Sequence, residues 1–365
     1  MAKYFKASDY YPDNKDIYDF LDSQTRSINP LLSFLKNRNI FASKLSEKEH
    51  LQEYISILYF DWNSANNLVN TIDIRESEPK VKHSKYDIVA NPELVHSIAK
   101  QVSDIRHELK REVYNIKFNS NEIDIYVTYL DIDTSKTRVI QKREKELIIT
   151  AAQSDKGWLF RYTDSDRSKQ IVKELISKIG ENTKQDSIIE QNIDISNITD
   201  NHKRVSFFKD TMTKIDGFRL IDVTNIKVEI LPKIQRIEDE NGNETEEEIE
   251  NKLKRVVMYG VDLFTTHEFQ ELVNQGFFIS SANWKSDKVD GKGLRVEFSA
   301  SFNNPIECKD FAYKILGVYH LNESGDLQQT RDKVSEFEKK EYLSLLEASA
   351  HAALIAINGD ANESI

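Results

Sequence analysis

Asp131, Glu144 and Lys145 are the residues of this chain whose types and spacing come nearest to catalytic chemistry. An acid on one strand, with an acid and a lysine on its neighbour, can hold Mg²⁺ and activate water for phosphodiester cleavage. Asp131 stands in "YLDID" with Asp133 beside it, and Glu144 stands in "REKEL" between Lys142 and Lys145. The remaining chemical signals are weaker. "HEFQE" at 267–271 begins like a zinc-binding helix, but the second ligand position is Glu271 rather than histidine, and a pair of imidazoles one turn apart is what such an ion needs. The eight histidines form no short-spaced pair, which favours surface or capping roles. Cys308 in "NPIECKDFAY" stands at an expected helix start, where the dipole would lower a thiol pKa, although a small buried cysteine is the plainer reading. No GxxxxGK[ST], GxGxxG or GxSxG occurs, and "DGKGL" at 290–294 reads as a turn. Asp262 in "YGVDLF" is a lone carboxylate among apolar strand residues, best read as a strand-end cap.

The elements that must position these groups are read from periodicity. Residues 1–75 read as a helical N-terminal unit containing "NKDIYDFLDSQ", "NPLLSFLKNR" and a helix from Ser46, whose spacing to Glu49 makes a capping box. Leu51, Tyr54, Ile55 and Leu58 give that helix one apolar face. "ESEPKVKHSKYD" at 76–87 breaks the pattern and reads as a linker. Residues 88–180 restore a helix, with Leu94, Ile98, Val102, Ile105 and Leu109 on one face, followed by an antiparallel meander in which Ile123, Ile125, Val127 and Tyr129 alternate with polar residues. A second polar boundary spans 181–201. Residues 202–357 then read as an α+β domain, with "ECKDFAYKILG" a helix in a β-β-α-β-β-α order and "TRDKVSEFEKKEYLSLLEASAHAALIAI" a long C-terminal helix. The acidic stretch 238–250 holds eight carboxylates around "NGN", which signals a hairpin with a charged tip. The expected class is α+β: a helical N-terminal unit followed by antiparallel sheet layers covered by helices.

Composition bounds the partners. A net charge of −11 argues against coating nucleic acid with the whole surface and leaves room for a local basic patch. The single cysteine excludes an internal disulfide and fits a reducing compartment, so the expected location is the cytoplasm. The start of the chain has no apolar signal region, and no window approaches 18 apolar residues, so no membrane partner is expected.

The local basic patch is "LLSFLKNRNIFASKLSEKEHLQEYISIL", residues 31–58. Leu32 and Leu35 would pack a first helix, Ile40 an extended segment, and Leu51 and Ile55 a second helix. On those residues the stretch resembles the SAP-type helix-extended-helix DNA-binding motif, with Asn39 where that motif usually has glycine and "ASKLSEKE" in place of its glycine-lysine turn. The resemblance implies that Lys36, Arg38, Lys44 and Lys48 face DNA phosphate, joined by Lys80, Lys82 and Lys85 of the following linker. An ordinary helical hairpin is the bland reading. The carboxylate pattern resembles PD-(D/E)xK nucleases more loosely, since no lysine stands two residues after the second acid. In residue usage and in its helical N-terminal unit, the chain also resembles accessory subunits of bacterial antiphage-defence systems.

The expectation is therefore a non-enzymatic, nucleic-acid-contacting or complex-organising subunit of a prokaryotic defence or DNA-transaction assembly. It would need no cofactor, and it would meet a protein partner through Phe277, Phe278 and the terminal helix. Two alternatives stand beside it: a Mg²⁺-dependent nuclease on Asp131, Glu144 and Lys145, and a homo-oligomeric scaffold.

Overall fold

The structure is a computed structural model that describes residues 12–25, 27–72, 78–154, 157–185, 187–230, 233–238, 244–249, 255–259, 263–289, 293–322 and 325–359. In chain order its elements are α1 (Asn14–Gln24), α2 (Ile28–Asn37), α3 (Lys48–Ser56), α4 (Trp62–Thr71), β1 (Val81–Tyr86), α5 (Pro92–Lys110), β2 (Val113–Asn119) and β3 (Glu122–Ile132). There follow β4 (Lys142–Ser154), β5 (Gly157–Thr163), α6 (Asp166–Thr183), β6 (Glu190–Gln191), α7 (Asn201–Thr213), β7 (Phe218–Ile230), β8 (Lys233–Glu238) and β9 (Glu244–Ile249). The last are β10 (Arg255–Tyr259), α8 (His267–Asn274), β11 (Phe277–Lys288), β12 (Arg295–Asn304), β13 (Lys309–Tyr319) and α9 (Glu336–Gly359). With antiparallel strands and helices segregated from them, the fold is α+β.

The chain forms two compact units: 1–77 with 88–158 and 165–187, and 78–87 with 159–164 and 188–365. The expected segments 1–75 and 88–180 thus contribute to one unit rather than two.

In the first unit, α1 to α4 close around Phe20, Leu21, Leu31, Phe34, Ile55 and Leu68, all nearly inaccessible to solvent. Asp13 and Asp16 form a reciprocal capping box that starts α1. The helix expected to run on from Ser46 is two helices. The first begins after Glu47, which makes no side-chain cap, and ends at Ile57; Asp61 then accepts from the Ser64 amide and starts α4. The asparagine cap of α5, Asn91, precedes Pro92 at the first helical position. Its buried face is Val95, Ile98, Ala99, Val102 and Arg106, which leaves the expected core residues Ile105 and Leu109 exposed. At 3.6 residues per turn the expected set and the buried set are centred about 60° apart, and Val95, Ala99 and Arg106 rather than Ile105 and Leu109 complete the buried face around Ile98 and Val102. The expected strands β3 and β4 pair, with Ile125 opposite Ile149; β2, which the sequence reading does not include as a strand, pairs with β3, with Ile116 opposite Ile125.

In the second unit the strand order is β10-β7-β11-β12-β13-β1, followed by residues 159–163 of β5, with the short β6 also on β1. The Asp164 amide donates to the Lys80 carbonyl, Ser84 meets Tyr162, and Tyr86 packs edge-on against Phe160, so β1 and β5 run in opposite directions. Trp284 stacks on Phe298, and Phe207, Phe208, Phe302 and Phe311 form an aromatic cluster in its core.

Three expectations are corrected here. Residues 81–86 are a strand rather than a linker. Residues 309–319 are the strand β13 rather than a helix, because Phe311, Ala312, Tyr313, Ile315 and Val318 pair with β12 as a nearly continuous buried run, which helical periodicity cannot be told from in so short a segment. The order in that region is therefore β-β-β after α8, not β-β-α. The acidic stretch does belong to a hairpin: Glu238 ends β8, β9 lies within the stretch, and the two strands form their own two-stranded sheet with Glu238 opposite Glu244; the "NGN" tip, and separately Asp262, lie outside the described residues.

Candidate functional site

The helix pair places its four basic residues in three different environments. Lys36 lies in the last turn of α2 and Lys44 in the extended segment; both are exposed, and among the described residues neither has an ion-pair partner. Lys48 opens α3 half-buried and lies 3.7 Å from Glu49. Arg38 is committed to the fold. Its guanidinium lies over the rings of Phe34 and Phe60, which are themselves stacked at 5.9 Å, and its Nη2 donates to the Tyr59 carbonyl at 2.9 Å. Asn39 adopts a φ of 60°, in the left-handed region that asparagine enters more readily than most non-glycine residues. The turn thus leads the chain from α2 into the extended segment, where Ile40 packs on the core and Phe41 faces solvent.

Of the three lysines expected to extend that surface, Lys82 does not face outward. It sits on β1 at 3% exposure, its Nζ 2.8 Å from Asp164 and in contact with Asp310. Lys80 donates to Ser301 and Asn303, and Lys85 is half-buried on the same strand. All three belong to the second unit, whereas Lys36, Arg38, Lys44 and Lys48 belong to the first.

The carboxylates of the nuclease alternative do not converge. Asp131 is directly opposite Arg143 in the β3–β4 ladder, and Leu130 is opposite Glu144, so Asp131 and Glu144 point to opposite faces of the ribbon. Lys145 instead bonds Asp131 at 2.6 Å. Among the described residues no group of three or more His, Cys, Asp or Glu could hold a metal ion. Cys308 sits in a turn before β13, and burial pushes its thiol up to about 12, the reverse of an activated nucleophile. Phe277 and Phe278 are core residues at 3% and 0% exposure: they point to opposite faces of β11, whose first four residues are buried on both sides. The terminal helix α9 likewise buries Tyr342, Leu346, Ala350 and Ala353 in its own unit.

Sequence reasoning missed a buried polar chain in the second unit. Arg161 holds Glu347 with Nε at 2.5 Å and Nη2 at 2.6 Å, and the Tyr313 hydroxyl donates to the same carboxylate. His83 Nδ1 lies 2.9 Å from that hydroxyl, and His83 Nε2 lies 2.8 Å from His351 Nε2. The carboxylate only accepts, so the single Tyr313 proton goes to Glu347, and the Tyr313 oxygen accepts from His83 Nδ1–H. Neutral His83 then presents a bare Nε2 that accepts from His351 Nε2–H. The hydrogen bonds therefore run in one direction, from His351 on α9 through β1 and β13 to Glu347 on α9. Burial lowers His83 to about 4, against the attraction of Glu347 and with further help from His351, Arg161 and Lys85. Burial also lowers His351, helped by Lys85 and opposed by Glu347. Burial alone would raise Glu347, but Arg161 holds it below the usual carboxylate range. A fully satisfied network of this kind locks α9 to the sheet. Its members lie up to 268 positions apart, and no local signal in the sequence links them.

The first unit has a counterpart in Glu112. It is fully buried and accepts from Arg106, Arg167 and Tyr114, and these bonds hold its carboxyl at about 2 although burial acts to raise it. No family model and no curated protein matches the chain.

Proposed function

We propose that the chain is a nucleic-acid-contacting subunit without catalytic chemistry of its own, working with a protein partner in a prokaryotic defence or DNA-transaction assembly. The observation that carries this reading is the stretch 31–46. It contains Lys36, Arg38 and Lys44 and no carboxylate, in a chain of net charge −11, and it leaves the Lys36 and Lys44 ammonium groups in solvent. Uncommitted cations on a short helix-extended-helix frame suit phosphate contacts that position a protein without reading sequence. The opposite faces of Asp131 and Glu144 weigh against the nuclease alternative. The test is DNA binding across a salt series for the wild type and a Lys36→Ala, Lys44→Ala variant. Each lost duplex phosphate contact lowers the slope of log affinity on log salt by about 0.9. An unchanged slope refutes the assignment.

One observation favours the scaffold alternative. Strand β2 pairs only with β3 among the described residues, and none of its residues is buried, so its outer edge offers unpaired main-chain groups to a second copy. Light scattering over a dilution series separates a homo-oligomer from a monomeric subunit.

A further inference from the structure

Eighteen large hydrophobic residues are exposed among the described residues, and five of them fall within residues 41–59: Phe41, Leu45, Tyr54, Ile57 and Tyr59. Three of these are aromatic, and only one other exposed aromatic, Phe337, occurs among the eighteen. Phe41 is 82% exposed and Tyr59 78%, so neither ring contributes to the core. Exposed apolar side chains gathered in this way mark a binding surface.

The two rings stand on segments that one contact joins. Ile40 and Leu58 both pack on the helical core, and the residue after each is exposed in irregular chain. The Arg38 guanidinium, three residues before Phe41, bonds the Tyr59 carbonyl and so ties the two segments side by side. Lys36 and Lys44 bracket Phe41 in sequence, and the acids nearest to them, Glu47 and Glu49, lie at the start of α3, close to His50 and Lys48 respectively.

We propose that this surface, made of Phe41 with Lys36 and Lys44 on one segment and Tyr59 on the segment that Arg38 ties to it, binds single-stranded nucleic acid. The proposal rests on the function proposed above and narrows it. A duplex hides the faces of its bases and offers only phosphate to a lysine. A single strand offers both, and cations alternating with exposed rings suit it: lysines follow the backbone while rings stack on bases without regard to sequence. The local charge favours an anionic occupant over an apolar protein face, because residues 31–46 carry three cations and no acid, and the one acid on the Tyr59 segment, Asp61, faces Arg38 and is occupied in capping α4.

The experiment compares a fluorescent oligo-dT with a duplex of equal length on three full-length proteins: wild type, Phe41→Ala with Tyr59→Ala, and Lys36→Ala with Lys44→Ala. Far-UV circular dichroism confirms that each folds. The single strand is expected to bind more tightly than the duplex. Removing both rings should weaken it by about tenfold or more while leaving the salt slope unchanged. Removing both lysines should lower the slope by about 1.4, near 0.7 for each single-strand contact. If the duplex binds as tightly and the ring variant binds like wild type, the single-strand proposal is overturned and the lysine reading stands. If neither nucleic acid binds at low salt, both are overturned. Capture of the wild type by phosphatidylserine-containing vesicles, lost in the ring variant and without oligonucleotide binding, would assign this surface to a membrane and equally overturn the proposal.

Discussion

By sequence alone, Lys36 and Lys44 of the first unit are equivalent to Lys80 and Lys82 of the other, yet the structure uses the two pairs in opposite ways. Lys36 and Lys44 stand in solvent beside exposed aromatic rings. Lys80 and Lys82 are drawn into hydrogen bonds and ion pairs with Ser301, Asn303, Asp164 and Asp310. The same contrast holds for histidine and carboxylate: His83 and Glu347 are sealed into a one-directional chain, while nothing comparable orders the surface at 36–59. A charged residue is available to a partner only where the fold has not already given it one, and that depends on strand or loop placement rather than on charge counts.

Breaking the sealed side should have the larger consequences. Glu347→Ala leaves the Arg161 guanidinium buried without its carboxylate and should cost about 3–5 kcal/mol, read as a lowered urea midpoint. If the loss is below about 1 kcal/mol, the network does not lock α9. Acid comes next. Folding depresses His83 below its unfolded value of 6.5, so the stability it contributes is whole above pH 6.5 and is lost as pH falls from there through about 4. The full shift corresponds to about 3 kcal/mol as an upper bound, with His351 acting in the same direction. Urea unfolding at about pH 7.5 and about pH 4.5 should show this fall in the wild type and a smaller one in His83→Gln. The Glu112 contribution runs at lower pH, from about 4.5 down to about 2, and so separates from it. Lys82→Ala removes the buried ammonium that Asp164 and Asp310 share, while both keep Asn303 as a donor, and should cost about 1–2 kcal/mol. Lys36→Ala and Lys44→Ala should change stability by less than about 0.5 kcal/mol, because both side chains are exposed and have no ion-pair partner among the described residues. A large effect there would erase the contrast.

What was legible in the sequence follows the same division. The α+β class, the strands β3, β4 and β5, the pairing of β8 with β9 and the separate helices α2 and α3 were readable because local periodicity and turn chemistry determine them. Strand β1 was not, because "KVKHSKY" is too polar to pass for a central strand; its burial depends on Asp164, Asp310 and Tyr313, which are far away in sequence. Strand β13 was misread for the related reason that a short apolar run fits either period, and Phe277 and Phe278 could not be placed inside or outside without the sheet that covers them. Of the residues expected at the site, Lys36 and Lys44 are exposed, Lys48 is half-buried, and Arg38 positions the segment through Phe34, Phe60 and Tyr59. No reading of the sequence singles out Phe41 or Tyr59: Phe41 stands between Lys36 and Lys44, whereas Tyr59 stands in an apolar run before Asp61, and exposure in such segments leaves no periodic mark.

The most direct test of the central claim sets the two kinds of lysine against each other. Oligonucleotide affinity would be measured at several salt concentrations for the wild type, for Lys36→Ala with Lys44→Ala, and for Lys80→Ala with Lys85→Ala. The account predicts that the first variant loses about 1.4 to 1.8 from the salt slope and that the other keeps the wild-type value. A slope that falls in the Lys80, Lys85 variant and not in the Lys36, Lys44 variant would place the contact in the other unit and contradict the account.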